Sequence, residues 1–395
     1  MSQRPINLSS DLKKLRDEGY NIEVKAGYLI VNDVPYVNSK KELKTGVLVS
    51  TLSLADDKTL KPDTHVMQFA GDHPCDQNGA PLARMVIGCD RTELLKDVWI
   101  DYTFSVKPLS GAYEDYYAKV TQHVAMLSGP AQAIDSTVTA KTFPVILTIE
   151  EESVFRYEDT ASSRAEIAAA CEKLTIGRIA ILGLGGTGSY VLDLVAKTLV
   201  KEIHLYDGDL FLQHNAFRSP GAPSGEELGE KLQKTDYFGR LYSKMRRGIV
   251  SHAVHINESN VDELRQVDFV FICIDGGSAK RLVVTKLEEF GVSFVDVGMG
   301  LYLTSANSLG GVLRVTTSTP TQRDHVAAKQ RIAFSDGDGN NEYDKNIQIA
   351  DLNALNAALA VVKWKKLFGF YLDIDKEHHT TYTVDGNCLI NEDLA

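Results

Sequence analysis

The feature that most constrains the fold is the stretch RIAILGLGGTGSYVLDLVAKTLVKEIHLYDGD, residues 178–209. An apolar run, a glycine turn, a helical pattern and a second apolar run follow one another, and the second run ends in Asp207 and Asp209. The turn holds four glycines, Gly183, Gly185, Gly186 and Gly188. Their spacing contains G-x-G-x-x-G, which lets the chain turn sharply and brings backbone N–H groups close to a phosphate. The stretch therefore predicts a nucleotide site, with Asp207 at the place where an acidic side chain accepts hydrogen bonds from ribose hydroxyls.

Four further apolar runs follow RIAIL, namely EIHLY, AVHI, DFVFICI and SFVDV, with helical patterns between several of them. Such alternation is typical of an α/β fold with a mainly parallel sheet. A helix, SSRAEIAAACEKL, is predicted before this region and a strand pair, TTYTVDGNCLINE, at its end. Residues 1–145 instead show short alternating runs and turns, which favours an α+β domain. With 395 residues, we predict two domains, 1–145 and 146–395.

Composition excludes several classes of protein. The net charge of -11 argues against nucleic-acid binding. No apolar run approaches the ~20 residues of a membrane helix, and no signal peptide is visible, so we expect no membrane partner and a cytoplasmic location. The five cysteines form no C-x-x-C pair, which predicts reduced thiols and no zinc site. The acidic stretch at 335–344 lacks the EF-hand pattern and is predicted to be a loop.

The glycine turn alone does not separate NAD from ATP. An enzyme that cleaves ATP needs cations on the phosphates and a magnesium ligand. Asn215 and Arg218 follow the second apolar run, Lys244 lies in a helical pattern, and Asp275 ends DFVFICID. These side chains favour ATP and Mg²⁺.

The series GLGGTGS, LYDGD, N-x-x-R, a helical lysine and a strand-ending aspartate resembles the ThiF/MoeB family over about residues 155–390. That adenylating superfamily includes the ubiquitin-activating enzymes. The resemblance implies a Rossmann-like adenylation domain and ATP-dependent activation of the C-terminal glycine carboxylate of a ubiquitin-like protein or a small peptide. It further implies a homodimer, a conjugating enzyme as a further partner and, given the N-terminal domain, a bacterial operon encoding ubiquitin-like proteins.

Site roles follow from the same resemblance. The glycine turn and Asp209 would lie beside the nucleotide, and Asp207 would hold the ribose. Phosphate binding would fall to Asn215, Arg218 and Lys244. Asp275 would hold magnesium, and Arg164 would act in the site of a partner subunit.

The chain also departs from the family. Ubiquitin-type enzymes carry a thioester-forming cysteine in the crossover segment, whereas residues 310–334 contain none. Cys273 is predicted to be buried, Cys171 and Cys388 to be packing residues, and Cys75 to lie in a polar turn beside acidic residues that disfavour its thiolate. We therefore expect the reaction to stop at an acyl-adenylate.

Three alternatives stay open. Peptide adenylation of the antibiotic-synthesis type also proceeds without a catalytic cysteine. An NAD-dependent dehydrogenase would fit the glycine turn but leave Arg218, Lys244 and Asp275 without a purpose. An inactive scaffold would bind nucleotide or partner without turnover. Residues 1–145 carry no derivable chemistry and are predicted to recognise the partner.

Overall fold

The computed structural model describes residues 3–95, 98–148, 153–334 and 347–394. The chain divides into two compact units, the first comprising 1–153 with 157–164, and the second 154–156 with 165–395. The stretch 335–344, predicted to be a loop, lies outside the described residues. Across the described ranges, no helix combines the length and apolar character needed to cross a membrane.

The first unit is rich in strands. Its helices are α1 (Arg4–Leu8), α2 (Ser10–Asp17), α3 (Tyr116–Ile134) and α4 (Thr160–Arg164). Its strands are β1 (Ile22–Lys25), β2 (Tyr28–Val37), β3 (Leu43–Thr51), β4 (Leu54–Ala55), β5 (Lys58–Thr59), β6 (Val66–Ala70), β7 (Val86–Gly88), β8 (Thr92–Leu95), β9 (Val98–Ile100) and β10 (Tyr102–Ser105).

Six of these strands form one antiparallel sheet in the order β1-β2-β3-β6-β10-β7. Alternate residues of β2 and β3 face the core, where Leu29, Val31 and Leu48 are fully buried. Helix α3 packs on this face through Val120, Val124 and Leu127. The predicted α+β character of this half is confirmed.

The second unit alternates strands and helices. Its strands are β11 (Arg178–Leu182), β12 (Glu202–Tyr206), β13 (Ile249–His252), β14 (Phe269–Ile272), β15 (Ser293–Leu303), β16 (Leu309–Ser318), β17 (His379–Thr383) and β18 (Cys388–Glu392). Its helices are α5 (Ala168–Glu172), α6 (Gly186–Val195), α7 (Gln213–Ala216), α8 (Gly225–Gly229), α9 (Lys234–Tyr242), α10 (Gly277–Phe290), α11 (Asp324–Ala328) and α12 (Ala350–Leu367), with a 3₁₀ turn at Val261–Gln266.

The eight strands form one sheet in the order β13-β12-β11-β14-β15-β16-β17-β18. The first five are parallel, and the last three continue the sheet in antiparallel fashion. Helices α6, α9 and α12 contribute to one hydrophobic core, whereas α10 and the 3₁₀ turn contribute to another. The central parallel strand β14 is covered on both faces, so its sequence is a continuous apolar run and all four of its residues are buried. The predicted α/β fold with a mainly parallel sheet is confirmed.

Two local predictions were wrong. The strand predicted at AVHI, residues 253–256, lies earlier, at Ile249–His252, because these are the residues that pair with β12. The single helix predicted over SSRAEIAAACEKL is two short helices, α4 and α5. Glu166 adopts φ +58° between them, and a left-handed residue cannot continue a right-handed helix.

Candidate functional site

A cavity of about 440 Å³ opens at the carboxyl ends of β11, β12 and β14. This volume lies in the range of small-molecule pockets, and its place is where parallel α/β sheets bind ligands. The residues at its wall include Gly183, Gly185, Asp207, Asp209, Arg218, Lys234, His255, Cys273, Asp275 and Gln348.

The glycine turn forms one wall of the cavity. Gly183 has φ +87°, and a Cβ there would lie 2.6 Å from the carbonyl oxygen of Cys273. A Cβ at Gly188 would collide with the carbonyl oxygen of Gly183. The chain therefore makes a tight reversal from β11 into α6, which directs the first N–H groups of that helix toward the carboxyl edge of the sheet. Such groups form an anion site.

Gln348, just before α12, lies at this wall, and Asn353, in the first turn of α12, packs behind it. Gln348 Oε1 accepts a hydrogen bond from the Gly186 N–H at 3.3 Å. Asn353 is 1% exposed and fills the space in which a Cβ of Gly186 would lie. The sequence interpretation included neither side chain, because no spacing rule links them to a turn more than 160 residues earlier in the chain.

Asp207 is held at the floor of the site by backbone donors. Its Oδ2 accepts from the Leu184 N–H at 2.7 Å, and its Oδ1 accepts from the Asp209 N–H at 2.9 Å. A carboxylate has about four acceptor positions. Oδ2 also accepts a hydrogen bond from Lys234 Nζ at 3.4 Å, so about one position remains for a hydroxyl donor such as that of a ribose.

Lys234, the first residue of α9, lies between the two aspartates. Its Nζ is 2.7 Å from Asp209 Oδ2 and 3.4 Å from Asp207 Oδ2. The hydrogen bond from Lys234 is the largest favourable influence on the Asp209 carboxyl and lowers its pKa, and His255, 3.6 Å away, adds a smaller effect of the same sign. Lys234 is buried, so its cation is confined to the cavity.

Arg218 also reaches the cavity. Its Nε is buried and, among the described residues, has no hydrogen-bond acceptor. Leaving a buried donor unpaired costs about 1–3 kcal/mol, so this nitrogen is suited to an anion that enters the cavity. An ATP triphosphate fits the residues present on this ground.

Asp275 follows β14 and lies exposed at the cavity wall, with its Oδ2 3.5 Å from Gln348 Nε2. Within the part of the chain that the structure describes, no three His, Cys, Asp or Glu side chains converge as metal ligands. One carboxylate suits Mg²⁺ only if substrate phosphates and water supply the other ligands, as is usual for this ion.

Two other predicted phosphate ligands lie elsewhere. Lys244 is exposed in a turn after α9 and is not at the wall of this cavity. Asn215 is buried in α7, where its Oδ1 accepts from the Leu212 N–H at 2.9 Å. Lys234 was missed because KTDYFGRLYSK offers several cationic side chains. Its position at the first turn of a helix after the long polar insertion is the signal that could have indicated it.

Arg164 ends α4 in the first unit, with its guanidinium 5.9 Å from the Phe143 ring centre. Its predicted role in a partner's site stays a prediction.

The cysteines differ in exposure. Cys75 is buried, contrary to the exposure that its polar turn permits, and burial raises its pKa. Cys273 is partly buried, and desolvation raises its pKa well above the usual range. Cys388 is exposed in β18 rather than packed. Neither Cys75 nor Cys273 is in the thiolate form that nucleophilic attack requires.

Comparison with known proteins gives the following matches. The ThiF family model matches residues 159–367, and a model described as a domain of unknown function, DUF6791, matches residues 10–160. Ubiquitin-like modifier-activating enzyme 5 from Rattus norvegicus is 24% identical over 167 residues, which are 39% of this chain and 40% of that protein. The match thus spans about two fifths of that relative.

Two solved structures are also similar. E. coli MccB with MccA-N7isoASN has a TM-score of 0.45 and 18% identity, over 58% of this chain and 67% of that chain. A selenomethionine form of PaaA has a TM-score of 0.46 and 13% identity, over 87% of this chain and 98% of that chain.

Proposed function

Because this chain belongs to the ThiF family, we propose that it uses ATP and Mg²⁺ to convert a C-terminal carboxylate into an acyl-adenylate. The observation that carries the proposal is the cavity at the glycine turn, where Lys234 and the unpaired Arg218 Nε face a wall of backbone N–H donors. The triphosphate of ATP carries more negative charge than the pyrophosphate of NAD, so two cations at this wall favour ATP.

Each residue has a role in this proposal. Asp207 binds the ribose hydroxyls, and the glycine turn lies along the phosphates. Arg218 and Lys234 bind the phosphates and stabilise the charge that develops on the leaving pyrophosphate. Lys234, rather than Lys244, is the lysine we assign. Asp275 would hold Mg²⁺, which neutralises phosphate charge when bound.

The reaction needs positioning more than acid–base help. A carboxylate oxygen of the acceptor bonds to the α-phosphorus, the bond from that phosphorus to the bridging oxygen breaks, and pyrophosphate leaves with the electron pair. The C-terminal carboxylate is already ionised at pH 7. No general base is required, so the chain's task is to hold the carboxylate and the triphosphate in line.

The acceptor that we propose is a ubiquitin-like protein ending in glycine. The similarity to ubiquitin-like modifier-activating enzyme 5 supports this choice. A short peptide is the second candidate, favoured by the high pKa of Cys273 and by the absence of cysteine from residues 310–334, since peptide adenylation needs no thioester.

Intact mass spectrometry tests the reaction. The protein is mixed with Mg-ATP and a candidate ubiquitin-like protein ending in glycine, with and without dithiothreitol. We expect a carrier-AMP mass and no enzyme–carrier adduct. A dithiothreitol-sensitive adduct would show that a cysteine forms a thioester, and binding of NAD without binding of ATP would contradict adenylation altogether.

We further propose a homodimer in which Arg164 of one copy serves the site of the other, and partner recognition by residues 1–145. Sedimentation would measure the oligomeric state, and a monomer with full activity would contradict the homodimer.

Cross-links from a bound carrier should fall within 1–145 if these residues recognise the partner. Cross-links confined to 146–395 would place recognition in the adenylation domain. The same method would identify any conjugating enzyme that binds the chain.

A further inference from the structure

Asn353 lies in the first turn of α12, where two separate parts of the nucleotide site meet. The residue is 1% exposed. Its Oδ1 accepts a hydrogen bond from Thr187 Oγ1 at 2.9 Å, and its Nδ2 donates to the carbonyl oxygen of Arg218 at 3.4 Å. One buried amide therefore joins the first turn of α6 to the segment that carries Arg218.

The shape of the site matches this amide. The Asn353 side chain lies against Gly186, so closely that a Cβ on that glycine would overlap all three heavy atoms of the amide group. Close contact of this kind fixes the distance between α12 and the glycine turn, because a protein interior yields little to changes in volume.

The chemistry is specific to an amide. Thr187 offers a hydroxyl donor and Arg218 a carbonyl acceptor, so the bridging side chain needs an acceptor and a donor on the same planar group. A carboxylate would leave the Arg218 carbonyl unpaired, and a leucine would leave both partners unpaired.

We propose that Asn353 is a positioning residue for adenylation, which holds the glycine turn and Arg218 at the separation that the triphosphate requires. The inference rests on the proposed function and deepens it. The side chain does not line the cavity and acts through Thr187 and Arg218. A displacement of about 1 Å in such groups lowers rates by as much as 10²-fold, so a buried amide behind the cavity wall can control the site.

Asn356 supplies a matched control. It lies three residues further along α12, is fully buried, and its Nδ2 donates to the carbonyl oxygen of Gly298 in β15 at 3.0 Å. Replacing either asparagine by leucine removes a buried amide from the same helix, but only Asn353→Leu breaks contacts to the nucleotide site.

The experiment compares the wild-type chain with Asn353→Leu and Asn356→Leu by thermal unfolding and by binding of Mg-ATP and of adenosine. We expect both variants to lower the unfolding midpoint. Only Asn353→Leu should weaken Mg-ATP binding, by about tenfold or more, which is the effect of 1.4 kcal/mol. Adenosine affinity should stay within about twofold, because adenosine has no phosphate for Arg218 or the turn to bind.

Three results would overturn the inference. These are unchanged Mg-ATP affinity in Asn353→Leu, an equal loss of Mg-ATP affinity in Asn356→Leu, or an equal loss of adenosine affinity in Asn353→Leu.

If Asn353→Leu does not fold, Thr187→Val tests the same bridge by removing only the hydroxyl donor. It should weaken Mg-ATP about threefold to fivefold, the effect of one neutral hydrogen bond, and no weakening would overturn the inference. Wild-type protein that binds no nucleotide would overturn the proposed function together with this inference, whereas the other outcomes bear on Asn353 alone.

Discussion

In the proposed function, Lys234 at the start of α9 is the lysine that binds the phosphates. Lys234 is buried between Asp207 and Asp209, whereas Lys244 is exposed outside the cavity. We expect Lys234→Met to weaken Mg-ATP binding about 10- to 100-fold, since hydrogen bonds to charged groups contribute about 1.5–3 kcal/mol. Lys244→Met should change the affinity less than about twofold. Calorimetric titration with Mg-ATP measures the affinity of both variants. A larger loss of affinity in Lys244→Met than in Lys234→Met would favour Lys244, the lysine predicted from the sequence.

Gly183 carries a second prediction at the same scale. Alanine there meets both a left-handed backbone and the Cys273 carbonyl, whereas Gly291, with φ +73°, has open space around it. We expect Gly291→Ala to lower the free energy of unfolding by about 1 kcal/mol, the cost of the left-handed conformation alone. Gly183→Ala should cost at least about twice as much. Urea unfolding followed by fluorescence of the buried Trp364 compares them, and equal losses would show that the turn relaxes.

Single residues were predictable where a motif states the reason for the residue type. The glycine turn, Asp207 and Asp275 follow from turn geometry and strand ends, and Arg218 follows from the N-x-x-R motif of the family resemblance. The structure brings these residues to one cavity. Asn353 lies in α12 and Gln348 just before it, far along the chain from the glycine turn. Their role depends on how α12 packs against α6, which no local pattern records.

At the scale of elements, a buried ion pair network ties α10 to β15 and β16. Asp296 is fully buried, with Lys280 Nζ at 2.9 Å and Arg314 at 2.7 Å. Asp296→Asn should lower the free energy of unfolding by about 3–5 kcal/mol, because it leaves two cations without their shared anion. Glu289→Gln, which breaks the exposed Lys286–Glu289 pair, should cost less than about 1 kcal/mol. Urea unfolding tests both, and similar losses would contradict the assignment.

Strand and helix order was predictable because parallel strands buried on both faces are continuous apolar runs. The errors lie at element ends. AVHI has the composition of a strand, yet the residues just before it pair with β12, and its His255 and Ile256 instead line the cavity. The periodicity of apolar residues also did not predict the left-handed conformation of Glu166, because periodicity reflects the side-chain pattern and not the backbone conformation.

The whole molecule should lose stability in mild acid. Burial lowers the pKa of His123 in the first unit and of His379 in the second to about 4. Each is neutral when folded, whereas the unfolded residue binds a proton below its usual pKa of about 6.5. Their contribution is therefore complete above pH 6.5 and is lost as the pH falls toward 4.

Thermal unfolding at pH 7.5 and pH 5 measures this effect on the full chain. The midpoint should be lower at pH 5. His123→Asn retains a donor for the Lys119 carbonyl, which His123 Nδ1 contacts at 2.8 Å, but does not titrate. The variant should show a smaller drop between the two pH values, and a drop equal to that of the wild type would exclude His123 as a cause.

The division of the molecule was only partly visible in the sequence. The change of pattern near residue 145 indicated two domains, and that boundary stays a prediction. The first compact unit extends to Ser153 and also takes in Tyr157–Arg164. The segment Tyr157–Arg164 belongs to the first unit because of tertiary contacts, such as the hydrogen bond from Arg16 to Ser163. Sequence composition does not reveal such contacts.

The fit of Asn353 into the hollow left by Gly186 has a consequence for how such a chain evolves. A side chain at 186 and an amide at 353 compete for the same volume, so neither position can change alone without loss. A descendant with alanine at 186 would require a smaller residue at 353 and, with it, another way to satisfy Thr187 and the Arg218 carbonyl. Positions 186 and 353 should therefore change together in evolution, although the hydrogen-bonded neighbours Thr187 and Asn353 are 166 positions apart in the sequence.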